Sequence, residues 1–215
     1  ALLELQGEDR GVSPDEMHFI IVHQTFELWF KQVIRELTEV RDILAQDHVP
    51  ENDIPRAVDH LGRTTEIFRL MANQWTVLET LTPQGFLAFR DGLGTASGFE
   101  SYQMREFEIL LGLANEDRLY GMDPISTFRK LAKNSERDAA ILARLEDVAS
   151  KASLSESLLQ WVSRTPIMGS LVGNDGDEHT VTEYIDAHLN SHENIGKQAA
   201  ERMSGYGAST SEKAA

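Results

Sequence analysis

Apolar positions along this chain recur at intervals of three and four, the period of a helix, and almost nowhere alternate in the period-two manner of a half-buried strand. Only 6 prolines and 15 glycines interrupt the 215 residues, so the helical segments between breaks are long. Ser13-Pro14-Asp15-Glu16 starts the first of them: a Ser N-cap, a proline at the first helical position and a glutamate three residues after the cap. The pattern predicts a helix over 14–45, a turn at His48-Val49-Pro50, and a second helix over 54–81 in which Trp75, Leu78 and Leu81 repeat at three-residue spacing. Thr82-Pro83 repeats the cap-plus-proline signal and opens a short helix over 83–93. A break at 94–98 precedes a helix over 99–113, and 124–162 reads as two further helices. Residues 169–177, GSLVGNDGD, form the longest glycine-rich stretch and read as a surface loop without phosphate-loop spacing. A final helix covers 178–203. The fold class is therefore all-α, a helical bundle, and one domain over 1–215 is expected, with an N-terminal segment at 1–13 and a mobile tail at 204–215.

The same periodicity places polar side chains on apolar faces. Phe19, His23, Phe26 and Phe30 fall at i, i+4, i+7 and i+11 of the first helix, setting one histidine in an aromatic stripe. Two readings stand open for it. His23 is either a core histidine satisfied by a neighbouring carbonyl or a neutral imidazole able to accept or donate one proton beside an apolar substrate. On the short helix Phe86, Arg90 and Leu93 share a face, and Arg90 needs an anion: a local acid such as Asp91, a glutamate on another helix, or a substrate carboxylate gripped by the guanidinium fork. Seven histidines occur in all. His188 and His192 stand at i and i+4 late in the chain, and that pair reads as a solvated polar face, a weak two-histidine metal face, or the source of one axial haem ligand.

Composition narrows the choice. Twenty basic against 35 acidic residues give a formal charge of −15, which opposes approach to nucleic-acid phosphates and anionic lipid. The absence of cysteine excludes disulfides, thiolate zinc sites, iron–sulfur clusters and thiolate-ligated haem, leaving histidine or carboxylate for any metal. No apolar run approaches the roughly 20 residues of a membrane span, and a soluble cytoplasmic protein is expected. No nucleophile elbow, Walker loop, dinucleotide fingerprint or HExxH motif is present.

Two blocks are more specific than any of these patterns. DEMHFIIVHQTFELWFKQVIREL at 15–37 and QWTVLETLTPQGFLAFRDGLGTASGFESYQMREFEILLG at 74–112 closely resemble the tryptophan 2,3-dioxygenase family, in the HQTxELWxK, QWxVLETLTP, FRD and SGFxSxQxRxxE motifs. The resemblance implies a helical bundle with a haem pocket between helices. It implies haem b as cofactor, O2 and L-tryptophan or a substituted tryptophan as substrates, and a homodimer or homotetramer. Position by position, His23 matches the distal histidine that faces the indole N–H, Phe19 the aromatic against the indole, and Arg90 the arginine that grips the amino-acid carboxylate. Phe86 matches an aromatic and Leu93 an apolar wall of the substrate pocket, and Trp75 and Ser97 match residues lining the haem.

The resemblance thins beyond about residue 115. The family's axial histidine precedes a V-x-R-x-I-G stretch and a GTGGSSG loop, whose nearest counterpart here is ERMSGYGAST at 201–210. Aligning ERMSG places Gly196 near the ligand position with His192 one turn earlier, and aligning Ile195-Gly196 favours His188. His192 is preferred because a one-turn shift keeps the imidazole on the same helix face. The family's tyrosine-bearing N-terminal segment has no counterpart in 1–13, so the sequence is expected to be truncated or to join pieces of a longer chain. Two outcomes stay open for the chemistry: dioxygenation across the indole C2–C3 bond to N-formylkynurenine, or monooxygenation to an oxindole as in divergent members of the superfamily. A non-catalytic haem-binding or sensor protein is the alternative.

Overall fold

The computed structural model describes residues 11–93, 101–118, 121 and 123–211, with side chains to 202. Packing divides the chain into two compact units, residues 1–161 and 162–215, each treated by itself below.

The first unit is organised around one long helix, α1 (Pro14–Leu44). Ser13 caps it as the sequence signals, its hydroxyl accepting from the Glu16 N–H at 3.1 Å. Val33, Leu37, Val40 and Ile43 are buried at 1 % exposure or less and form the floor of the core. α2 (Ile54–Leu78) returns along α1 and adds Ala57, Ile67 and Met71. It ends three residues short of the expected 81, because Thr82 must leave helical space to cap the next helix ahead of Pro83. α3 (Pro83–Arg90) follows, with Thr82 Oγ1 accepting from Gly85 N at 3.0 Å. A single 3₁₀ turn, Asp91–Leu93, completes the segment expected to be one helix to residue 93.

α4 (Tyr102–Leu111) is shorter than the expected 99–113. Ser101 caps its start, and at its end Gly112 turns left-handed at φ +88°. A β-carbon at Gly112 would stand 2.6 Å from Ser153 Oγ, so only glycine meets both the conformation and the close approach there. Three helices fill the region expected to hold two: α5 (Pro124–Leu131), α6 (Glu136–Ala149) and α7 (Leu154–Arg164). The signals for the division are in the sequence. Ser135 and Ser153 each stand three residues before an acid, Asp138 and Glu156, and each hydroxyl accepts from that acid's backbone N–H. Glu156 returns the bond to Ser153, and those hydrogen bonds, the backbone N–H first, hold its carboxyl below the ordinary glutamate range.

Arg105, Glu106 and Glu108 of α4 are tied into buried ion pairs. Glu108 accepts from Arg105 at 2.9 Å and Arg118 at 3.3 Å, all three side chains being buried, while buried Glu106 accepts from Arg144 of α6 at 2.7 Å. Burial pushes the Arg118 guanidinium below its ordinary pKa.

The second unit holds the end of α7, a turn region and α8 (Asp177–Ser211). The expected surface loop is present: Met168 and Gly169 take positive φ between Ile167 and Ser170, which pair as an isolated bridge. α8 runs past the expected end at 203, into the stretch expected to be a tail, since no proline follows Pro166 and glycine costs a helix only about 1 kcal/mol. No side chain described on α8 is buried. Among the described residues, no helix is long and apolar enough to cross a membrane.

Candidate functional site

The aromatic stripe predicted on α1 packs into two clusters of rings, one about Phe19 and one about Phe26 and Phe30. Phe19 meets Phe86 and Phe89 of α3 at ring-centroid distances of 5.7 and 5.6 Å, and Phe86 and Phe89 meet edge-on at 5.5 Å. Phe26 packs on Trp75 of α2 at 5.2 Å, and Phe30 on Phe107 of α4 at 5.3 Å. His23 lies within the Phe19 cluster, its ring 4.0 Å from that of Phe19.

His23 Nδ1 is 2.8 Å from the Phe19 carbonyl oxygen. A carbonyl only accepts, so Nδ1 carries the proton and donates it. In the neutral imidazole Nε2 then keeps its lone pair and can accept from a ligand. The geometry shows His23 bonded to a neighbouring carbonyl through Nδ1, and that bond does not use Nε2.

α3 brings its residues to the Phe19 cluster. Phe86 touches Phe19 directly; Arg90 is half-buried at the last turn of α3, one turn beyond Phe86, and Leu93 is half-buried at the end of the 3₁₀ turn. Trp75 is 52 % exposed, a large apolar surface beside Phe26. Ser97 lies outside the described residues. Sequence reading missed Phe89, which is buried and links Phe86 to Phe19. Its place three residues after Phe86 and four before Leu93 was the available signal.

His188 and His192 are on α8 in the second unit, both exposed, their Nε2 atoms 3.1 Å apart. Tyr184 stacks on His188 with ring centroids 6.0 Å apart. Ile185 and Ile195 share the histidine-bearing stripe at 48 % and 59 % exposure. Among the described residues no group of three or more histidines and carboxylates could hold a bare metal ion. A porphyrin supplies four ligands of its own and needs one imidazole beside apolar surface, and this donor set fits it.

Fold and site together define an all-helical protein whose aromatic stripe carries one histidine near an arginine-bearing helix. The family model "Tryptophan 2,3-dioxygenase" matches residues 2–202. The chain is 43 % identical over 166 residues to tryptophan 2,3-dioxygenase of Alteromonas mediterranea, covering 77 % of this chain and 44 % of that protein. Tryptophan 2,3-dioxygenase 2 of Ralstonia nicotianae is 43 % identical over 176 residues, covering 79 % and 47 % respectively, and the Anopheles gambiae enzyme is 36 % identical over 162, covering 75 % and 40 %. This chain belongs to the tryptophan 2,3-dioxygenase family. It spans less than half the length of these relatives.

Proposed function

We propose that this chain is a haem-dependent oxygenase that adds both atoms of O2 across the indole C2–C3 bond of L-tryptophan, giving N-formylkynurenine. The observation that carries the reading is the His23 ring: its Nδ1–H is committed to the Phe19 carbonyl, which leaves Nε2 as an acceptor within the Phe19 cluster. An indole N–H is the complementary donor. Phe19 and Phe86 offer ring surface to the indole, Leu93 closes the apolar side, and Arg90 clamps the amino-acid carboxylate through its fork.

Haem, when bound, supplies the centre at which dioxygen is activated. His192 would hold it, with His188 one turn earlier as the alternative. The chain's own residues orient the indole, exclude water and hold a proton acceptor at Nε2 of His23. The whole chain acts as one oxygenase domain in the cytoplasm, as a homodimer or homotetramer. The names of the relatives favour the two-oxygen outcome, and no observation on this chain favours monooxygenation or haem binding without turnover.

Reconstitution with haem, reduction and addition of L-tryptophan under air test the reading, with ring-opened product as the expected result; bound haem with tryptophan left unchanged would refute it. His192→Ala is expected to abolish the histidine-ligated Soret band while His188→Ala keeps it. The reverse result moves the ligand to His188.

A further inference from the structure

The interdigitated apolar side chains that pack α1 against its neighbours fix its axial position in part, and directional bonds between helices sharpen that register. Near the site, two side-chain amides reach from different helices to backbone carbonyls of α1. Gln74 of α2 donates to the Val22 carbonyl at 3.1 Å. Gln103 of α4 donates to the Glu27 carbonyl at 2.9 Å and to the Glu27 carboxylate at 2.6 Å.

These carbonyls bracket His23: Val22 precedes it and Glu27 stands one turn after it. Both also lie within the α1 ladder, so each amide uses the remaining lone pair of an oxygen whose position is fixed by the helix itself. A third bond agrees in register. His18 Nε2 donates to the Val77 carbonyl at 3.2 Å, and the pairs 18 with 77 and 22 with 74 are those of two antiparallel helices aligned without slip. Trp75 follows Gln74 directly and packs on Phe26, so the Gln74 bond ties the helix bearing Trp75 to the helix bearing His23.

We propose that Gln74 and Gln103 are positioning residues that fix the axial height of His23, and so the placement of its free Nε2 against the substrate. The inference rests on the reading of His23 as the distal histidine. Neither glutamine contacts the reacting atoms.

Gln74→Met and Gln103→Met keep length and apolar bulk and remove the donors. In the haem-loaded chain with L-tryptophan, the double variant is expected to lose roughly ten- to hundred-fold in kcat, the penalty of a displacement on the order of 1 Å. KM is expected to stay within about threefold, because Arg90 and Phe86 sit on α3, which neither amide touches. In the substrate-free chain, the ring ¹⁵N resonances of His23 are expected to shift or broaden. Unchanged ring resonances, or a loss carried by KM alone, overturns the proposal. If the parent chain leaves tryptophan unchanged, the oxygenase reading fails, and the ring resonances alone decide the positioning.

Gln74→Glu covers a double variant that does not fold. Its carboxyl donates to the Val22 carbonyl only when protonated, so its turnover relative to the parent is expected to rise from about pH 8 to about pH 5.5 as the acid form gains population. A flat ratio overturns the role of Gln74.

Discussion

The two halves of α1 are built for different tasks. From Val33 to Leu44 the inward side chains are aliphatic and almost wholly buried, and the one acid among them, Glu36, is held by Gln32, His60 and Arg63. From Phe19 to Phe30 the buried aliphatics are only Ile20 and Val22, the aromatic stripe beside them is half-buried, and its one histidine has a ring nitrogen with no partner among the described residues. The C-terminal half contributes stability, whereas the N-terminal half leaves aromatic surface and, among the described residues, an acceptor uncovered. One helix thus carries a foundation and a candidate site, and the substitutions that separate them affect different measurements.

The largest effect is expected in the foundation. Leu37→Ala empties a site only 1 % exposed and is expected to cost about 3–5 kcal/mol of unfolding free energy in denaturant titration. The haem-loaded folded fraction should keep the parent's kcat. Arg90→Ala acts on a different measurement: KM for L-tryptophan is expected to rise steeply, consistent with loss of a charged pair at about 2–5 kcal/mol. An unchanged KM would remove Arg90 from the carboxylate role.

Glu36 sharpens the comparison through pH. Burial raises its pKa, but bonds from His60, Arg63 and Gln32 together outweigh burial and hold it below the usual glutamate value. A carboxyl with a depressed folded pKa contributes stability that is complete above the unfolded value of about 4.3 and is lost as pH falls through the folded one. Glu36→Gln is therefore expected to lower stability at pH 7, by about 1–3 kcal/mol as charged hydrogen bonds go. The parent and variant curves should converge in acid. Parallel curves down to pH 3 would show that the network contributes nothing through charge.

Much of this was legible in the sequence, and for local reasons. The helix start at Pro14, the stripe of Phe19, His23, Phe26 and Phe30, and the face shared by Phe86, Arg90 and Leu93 are all set by residues within a few turns of one another. The divisions at Ser135 and Ser153 were equally local, written in two capping boxes, and reading two helices where there are three overlooked one of them. The bonds from Gln74 to Val22 and from His60 to Glu36 were not legible at all. They join residues 52 and 24 positions apart, and their meeting depends on the register of two packed helices. His188 and His192 were found by spacing, and spacing cannot choose between two imidazoles on the same stripe.

The claim that the aromatic half of α1 serves an oxygenase is tested most directly by mass spectrometry of the product formed from L-tryptophan and ¹⁸O-labelled dioxygen by the haem-loaded, reduced chain. The account predicts a ring-opened product carrying two labelled oxygens. A ring-intact product carrying one label would contradict it in favour of monooxygenation, and no labelled product would contradict it altogether.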